Sequence, residues 1–449
     1  MLTMAAPART QTPRPGFVSP WRPLRFDENY GYLRDSVREG WWRPLKFIPI
    51  SGWSSLSLGG EARAAYERLD HPGFGALPTD LGGYELARLM LHSDWRLGPR
   101  LRLFVQLASA QEAGRTGGPR PTDVDTLDVR QAFAEFTQPI TAGRLWGRVG
   151  RQEVTFGGTR LFATRNPANV RRSFDAVRGG FAEQRVAVEL FWGRQVLVSP
   201  GLFDDARDST RSTWGAFSTV TLRRNQAWLD AYLFRDHRDL ARFAQGTAPA
   251  NRWTAGAVSR GRQGQWEWNV EGLYQWGRFG TAPITAYDAV LDVAYTFRTL
   301  WQPRLALRGS QSSGDRNPND PALQSVDPLY PRAVALRGAP VGPVNLTNIH
   351  PGLDLQLSRR LSTYVDLDVF WRTRNTDGIY DAGGGLVRTA FSTPARYIGM
   401  QPGWELDWYI GPYVHAELAY AHFFPGPAIT QSGPGLAMNY VLASTTFTF

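Results

Sequence analysis

The sequence of 449 residues contains no cysteine, which removes disulfides, thiol nucleophiles and cysteine-ligated zinc together. Lysine is almost absent: Lys46 is the single one, and every other basic residue is an arginine. No apolar run approaches the roughly 18 residues a membrane helix needs, so any crossing of a bilayer has to be made by strands. The histidines (His71, His92, His237, His350, His415, His422) show neither HExxH nor other paired metal spacing, and neither a G-x-S-x-G elbow nor a P-loop occurs. No cofactor, no resident metal and no enzymatic activity are expected. The start, MLTMAAPARTQTP, carries small residues without the apolar core of a secretory signal. We expect the signal peptide of an exported chain to be missing or removed.

Aromatic residues are abundant, 13% with 17 tryptophans, and glycine and proline are plentiful. The net charge of +10 raises nucleic acid as a partner. The arginines, however, are scattered singly along alternating segments, without a basic helix or an RNA-binding signature, so no nucleic-acid partner is expected. The length allows several soluble domains or one long β unit.

Residues 1–50 read as an irregular periplasmic leader, with a short helix from Asp27 to Trp42 capped at Asp27. From Trp53 the hydrophobic period becomes two. Leu56, Leu58, Ala62, Ala64 and Tyr66 share one face against Glu61, Arg63 and Glu67. Leu101, Leu103, Val105 and Leu107 oppose Arg102, Phe104 and Gln106; Val365, Leu367, Val369 and Trp371 oppose Asp366, Asp368 and Arg372. A strand with one apolar and one charged face suits lipid outside and water inside. A soluble sandwich alternates in the same way. Turn parity favours the membrane barrel. About eighteen strands (16–18) are predicted over residues 51–449, with tight turns near Gly98, Pro139, Asn225, Leu300, Arg360 and Gly411. Long loops at 112–125, 152–172, 196–211, 312–346, 373–396 and 423–436 alternate with them. The fold expected is an all-β, antiparallel, up-and-down transmembrane β-barrel whose last strand, ending at Phe449, closes on the first.

Val149 to Arg178 is the most basic stretch, with Arg151, Arg160, Arg165, Arg171, Arg172 and Arg178 against Glu153 and Asp175. Parity places most of it on the long-loop, extracellular side, as an arginine mouth to the pore. Alternation turns Arg63, Arg88, Arg102, Arg130, Arg144, Arg148, Arg185, Arg304, Arg308 and Arg372 toward the lumen. Arginine suits a carboxylate conduit because its planar fork binds carboxylates bidentately and stays charged. The opposing reading is that each arginine braces the wall against a facing acid. Lumenal acids are Glu61, Asp94, Asp128, Glu189, Glu267, Glu271, Asp288, Asp292, Asp354, Asp366, Asp368, Glu405, Asp407 and Glu417. Gly314 to Asp320 has oxygen-ligand spacing but no closing Glu, so an ordinary Asx-turn loop is expected. Trp266, Trp268, Trp404 and Trp408 fall on outward faces and read as lipid or interfacial anchors.

The chain resembles the alginate export family of outer-membrane barrels. The resemblance is carried by LKFIPI and LSLGGEARAAYERLD, LARLMLHSDW, RPTDVDTLDVRQAFAEF, GRQEVTFGGTRL with NPANVRRSFDAVR, and SGDRNPNDPALQSVDPLYP followed by GPVNLTNIHPGLDLQL. Thr164-Arg165 stands where the family has a tryptophan before Asn-Pro. The resemblance implies an outer-membrane channel with an Arg-lined lumen that exports an acidic polysaccharide such as alginate. Arg63, Arg88, Asp128, Arg130, Arg160 and Arg178 match the family pattern. The alternative is a substrate-specific porin for uptake of small organic acids. The expected partners are outer-membrane lipid, an anionic polysaccharide or small anionic solute, and periplasmic export partners. The pore-lining set expected is Arg63, Arg88, Arg102, Asp128, Arg130, Arg144, Arg148, Arg160, Arg171, Arg178, Arg304 and Arg308.

Overall fold

The computed structural model describes residues 21–34, 41–79, 82–158, 160–224, 226–317, 319–331, 338 and 340–449. Eighteen long strands run antiparallel in chain order. They are β1 (Ser54–Asp70), β2 (Tyr84–Leu97), β3 (Leu101–Ala113), β4 (Asp125–Ile140), β5 (Gly143–Gln152), β6 (Phe174–Ala182), β7 (Val186–Leu197), β8 (Arg211–Arg223) and β9 (Ala227–Phe243). The second half comprises β10 (Gly246–Gln263), β11 (Trp266–Phe279), β12 (Ala282–Thr296), β13 (Arg304–Ser312), β14 (Leu346–Gln356), β15 (Leu361–Arg372), β16 (Tyr397–Tyr409), β17 (Val414–Pro425) and β18 (Met438–Thr448). Strand β18 returns to β1, from Glu61 opposite Thr448 to Asp70 opposite Asn439, so the barrel is closed. The short strand Ile48–Ser51 covers the start of β1 that β18 does not reach.

The alternation explains why these segments are strands. In β3 the side chains of Leu101, Leu103, Val105 and Leu107 are exposed outward, while Arg102, Phe104 and Gln106 are buried inward. Two aromatic belts ring the outside, as the two interfaces of a bilayer demand. Trp266, Tyr295 and Phe297 meet edge-on in sequence near the tight-turn end, with Trp408 also exposed there; near the other, Trp214 meets Trp253 edge-on and Trp253 stacks on Trp276. Trp268 and Trp404 share the outward face and donate to Ser259 and Thr363 hydroxyls. No described helix is long and apolar enough to cross a membrane.

Three expectations are corrected. Residues 27–42 do not form one helix: Arg25–Asp27 and Gly31–Arg34 are separate 3-10 turns, with extended backbone at Glu28 between them, and 35–40 lies outside the described residues. Asp27 ends the first turn instead of capping a helix. Tight turns and long loops do not alternate strictly, because β9–β10 and β11–β12 meet in two-residue hairpins at the long-loop end. Those strands outrun the expected lengths because their inward Ala241, Phe243, Ala250, Phe279 and Ile284 pack on Leu323, Val344 and Tyr380 of the loops. Finally, the loop joining β5 to β6 is no open mouth. It carries more apolar residues than arginines, and Val154, Phe156, Leu161 and Phe162 turn into the barrel.

The interior is therefore filled. Phe156, Phe162, Val326, Leu329 and Tyr330 from two loops join the inward Phe174, Phe191, Tyr232, Phe234, Val258 and Leu273 of the wall in one apolar cluster. From the tight-turn end the leader also enters: Phe26 packs edge-on against Phe133 at 5.5 Å and Phe104 at 6.1 Å, both inward residues. The loop 314–320 forms successive Asx turns, with Asp315 Oδ1 accepting from the Asn317 amide and Asn317 Oδ1 from that of Asn319.

Candidate functional site

The inward faces of β1 to β7 assemble an arginine-rich wall. Antiparallel register sets Arg63 opposite Arg88, Arg96 opposite Arg102, and Arg148 opposite Arg178. Like charges directly opposite repel. Carboxylates one step along the ladder offset the repulsion. Arg88 bonds Glu61 at 2.6 Å, Arg102 bonds Asp94 at 2.6 Å, Arg178 bonds Glu189 at 2.6 Å, and Arg148 grips Glu135. A bulge in the β3–β4 pairing beside Gln106 turns both Arg130 and Gln131 inward. Arg130, 1% exposed, bridges Asp125 at 2.6 Å and Asp205 at 3.0 Å. Asp128 is held by Arg151 at 3.3 Å.

The same pairing extends across the lumen. Arg160 reaches from the β5–β6 loop to Asp288 on β12, its Nη2 donating to Oδ1 at 2.8 Å. Arg171 bonds Glu153 at 2.6 Å and donates to the Pro23 carbonyl of the leader at 2.9 Å. Burial pushes the Glu153 carboxyl up, against the pull of Arg171, Arg130 and Arg88. On the later strands Arg304 bridges Glu267 at 3.0 Å and Asp354 at 2.9 Å, and Arg308 bonds Asp292 at 2.9 Å. Arg372 is buried but ties down backbone carbonyls of 375–395. Arg185, expected inside, lies exposed in the β6–β7 turn, because β6 ends at Ala182. Arg144 is half-buried on the inward face at the start of β5, without an ion-pair partner among the described residues.

Guanidinium charge is left uncompensated at few places. Arg63 has no ion-pair partner among the described residues, and its buried Nη1 meets no acceptor. Arg172, in the β5–β6 loop, donates to the Ala163 carbonyl at 3.2 Å and lies 5.5 Å over the Tyr330 ring, but no acid faces it among the described residues. Burial and the neighbouring Arg165 and Arg211 hold its affinity for a proton well below the usual arginine range. Arg165 likewise has no described acid partner within bonding distance; its backbone takes a left-handed turn at φ 57. Strand parity is silent inside a loop, so the sequence singled out Arg171 and passed over Arg165 and Arg172. Their adjacency to Asn166-Pro167 and to Arg171 was the available signal.

The leader supplies a counter-charge of its own. Asp27 is half-buried, and its partial desolvation pushes its carboxyl up while Arg148, Arg102 and Arg178 pull against that rise. Arg102 holds the Phe26 carbonyl at 2.6 Å, Arg96 holds the Glu28 carbonyl at 3.0 Å, and the Arg148 guanidinium lies 4.3 Å over the Phe26 ring.

The sequence of this closed barrel matches a family model described as alginate export over residues 54–444. The chain belongs to the alginate export family. This member is an outer-membrane channel protein. Its fold is similar to those of several Pseudomonas aeruginosa proteins. OccK3 (OpdO) aligns with TM-score 0.58 at 11% identity, covering 88% of this chain and 95% of that one. OccD3 (OpdP) aligns with TM-score 0.59 at 12% identity, covering 88% and 91%. OccK2 (OpdF), solved in complex with glucuronate, aligns with TM-score 0.56 at 9% identity, covering 87% and 98%. No curated protein matches the chain in sequence. At these identities the likeness concerns the fold alone.

Proposed function

We propose that this family member passes small hydroxylated carboxylates of the sugar-acid class, with the uncompensated guanidinium groups of Arg63, Arg165 and Arg172 as their contacts. The observation that carries the reading is the inward packing of the two loops. Phe156, Phe162, Leu329 and Tyr330 are buried in one cluster with the wall, and each such side chain contributes about 1.5–3 kcal/mol by leaving water. A passage wide enough for a sliding polymer would have to give up most of that cluster. A single sugar acid asks for a far narrower opening. Paired arginines keep the wall rigid, and unpaired ones offer weak, repeated contacts from which a solute can leave. The glucuronate bound by OccK2 belongs to the same solute class.

Export of a polyuronate is the second reading, favoured by the family model itself. The periplasmic leader and export partners belong to that reading. Proteoliposomes separate the two. Glucuronate should enter faster than glucose and should block the ionic current, while a long polyuronate should do neither. Passage of the polymer at a rate comparable with the monomer would refute the small-solute assignment.

A further inference from the structure

Strands β14 and β15 carry a group of titratable side chains outside the arginine-rich wall of β1 to β7. His350, Asp366 and Asp368 all face inward and are buried, His350 at 5% exposure. The ladder places Ile349 opposite Val369 and Gly352 opposite Asp366, so His350 lies across from Asp368 with Asp366 two residues further along the same face. His350 Nε2 is 3.1 Å from Asp366 Oδ2 and Nδ1 is 3.1 Å from Asp368 Oδ1. One ligand atom from each residue lies within 4.8 Å of the others.

We propose that this trio is a binding site for a divalent first-row transition ion, with zinc as the representative. The imidazole makes the case. Its Nε2 has hydrogen-bond partners in Asp366 Oδ2 and the Tyr364 hydroxyl, both at 3.1 Å. Nδ1, equally buried and aimed at Asp368, has no hydrogen-bond partner. A buried ring nitrogen facing a carboxylate oxygen without a hydrogen bond between them is what a shared cation resolves, because both atoms are then ligands of one ion. The Nε2 proton donated to Asp366 fixes the tautomer that leaves Nδ1 free to coordinate, the arrangement in which a carboxylate orients a metal-bound histidine. Asp366 stays on the Nε2 side as the orienting carboxylate, Nδ1 and Asp368 Oδ1 supply the protein ligands, and lumen water completes the shell.

Two buried carboxylates face the one imidazole. The guanidinium opposite His350 in the ladder, Arg308, is engaged with Asp292 at 2.9 Å, and Asn348 offers Asp368 only a long contact of 3.4 Å. The other acidic group, Asp125, Asp128 and Asp205, differs in this respect, since Arg130 and Arg151 already sit among its carboxylates. One imidazole nitrogen with carboxylate oxygens selects zinc-like ions over calcium or magnesium, which take oxygen alone.

The test uses the full chain folded in detergent, stripped with a chelator and dialysed against zinc chloride, with bound metal counted by atomic absorption. The expected result is one zinc per chain, lost in His350→Ala and in Asp368→Asn. Asp366→Asn keeps the shape of the site and should weaken binding by about 10- to 100-fold, as loss of an orienting carboxylate does. Cobalt substitution gives a second readout, since a nitrogen-and-oxygen site shows visible d–d bands that His350→Ala should abolish. A heat-modifiable gel shift confirms that each variant is folded. Zinc uptake by the folded wild type no greater than that of folded His350→Ala would overturn the assignment and leave an imidazolium held between two carboxylates.

Discussion

Replacing Phe26 by alanine asks whether the leader obstructs the channel. Its ring is 4% exposed, packs against Phe133 and Phe104, and carries the Arg148 guanidinium on its face at 4.3 Å. Truncating a buried phenylalanine costs about 3–5 kcal/mol. The backbone anchors, Arg102 to the Phe26 carbonyl, Arg171 to that of Pro23 and Arg25 to that of Phe449, survive the substitution. The segment should therefore loosen, with the ratio of undocked to docked leader rising by roughly two to three orders of magnitude, since each 1.4 kcal/mol is tenfold. In planar bilayers Phe26→Ala should show larger and noisier single-channel conductance than wild type. Trypsin added on the tight-turn side should cut after Arg25 within minutes. Phe26→Leu, which refills most of the volume, should behave nearly as wild type. Conductance and cleavage both unchanged in a folded Phe26→Ala protein would mean that the leader does not lie across the conduction path.

Three further predictions concern the interior. Tyr330→Ala removes a fully buried ring that donates to or accepts from the Thr213 hydroxyl at 2.8 Å and lies 3.9 Å from the Arg211 guanidinium; a loss of about 3–5 kcal/mol should free the inner loops, and liposome swelling should report faster entry of neutral disaccharides. Arg172→Gln and Arg63→Gln should each shift the reversal potential in a salt gradient toward lower anion selectivity with little change in thermal midpoint, whereas Arg130→Gln strands Asp125 and Asp205 and should lower the midpoint sharply, by the equivalent of about 3–5 kcal/mol. Lys46 is buried, its Nζ donating to the Leu58 carbonyl at 2.8 Å, and burial followed by the Arg25 charge lowers its amine to about 7 from 10.5. The folded state thus disfavours the ammonium by about 5 kcal/mol, a penalty present in full below pH 7 and relieved as pH climbs from about 7 to 10.5. Lys46→Met should therefore raise the thermal midpoint most at pH 6 and leave a smaller gain at pH 10; an equal gain at both would refute the assignment.

Periodicity made the barrel legible because every strand residue has only two places to point. Arg102 between Leu101 and Leu103 has to face inward if the leucines meet lipid, and it does. The same rule loses its grip where the ladder slips. A bulge beside Gln106 sends Arg130 and Gln131 to the same side, and no alternation within β4 alone announces it. Inside loops the rule has no content at all, so Val149 to Arg178 read as a basic mouth. Its apolar residues carried the opposite message, because Val154, Phe156, Leu161 and Phe162 in a long connection must find something to pack against, and in a closed barrel the available surface is the lumen.

The deeper gap between sequence and site is one of pairing. Arginines counted along the chain suggest a uniformly positive conduit, yet a count takes no account of which acid stands one rung away. Arg88, Arg102, Arg148, Arg178, Arg304 and Arg308 each meet a carboxylate at bonding distance, and a paired guanidinium in a wall contributes rigidity more than potential. Selectivity in such a lumen is set by the few charges that the register leaves unmatched. Register depends on which strands become neighbours, as when Arg63 is set against Arg88 while Glu61 is taken by Arg88 alone. An anion entering this barrel would therefore feel Arg63, Arg165 and Arg172 more strongly than the many arginines around them.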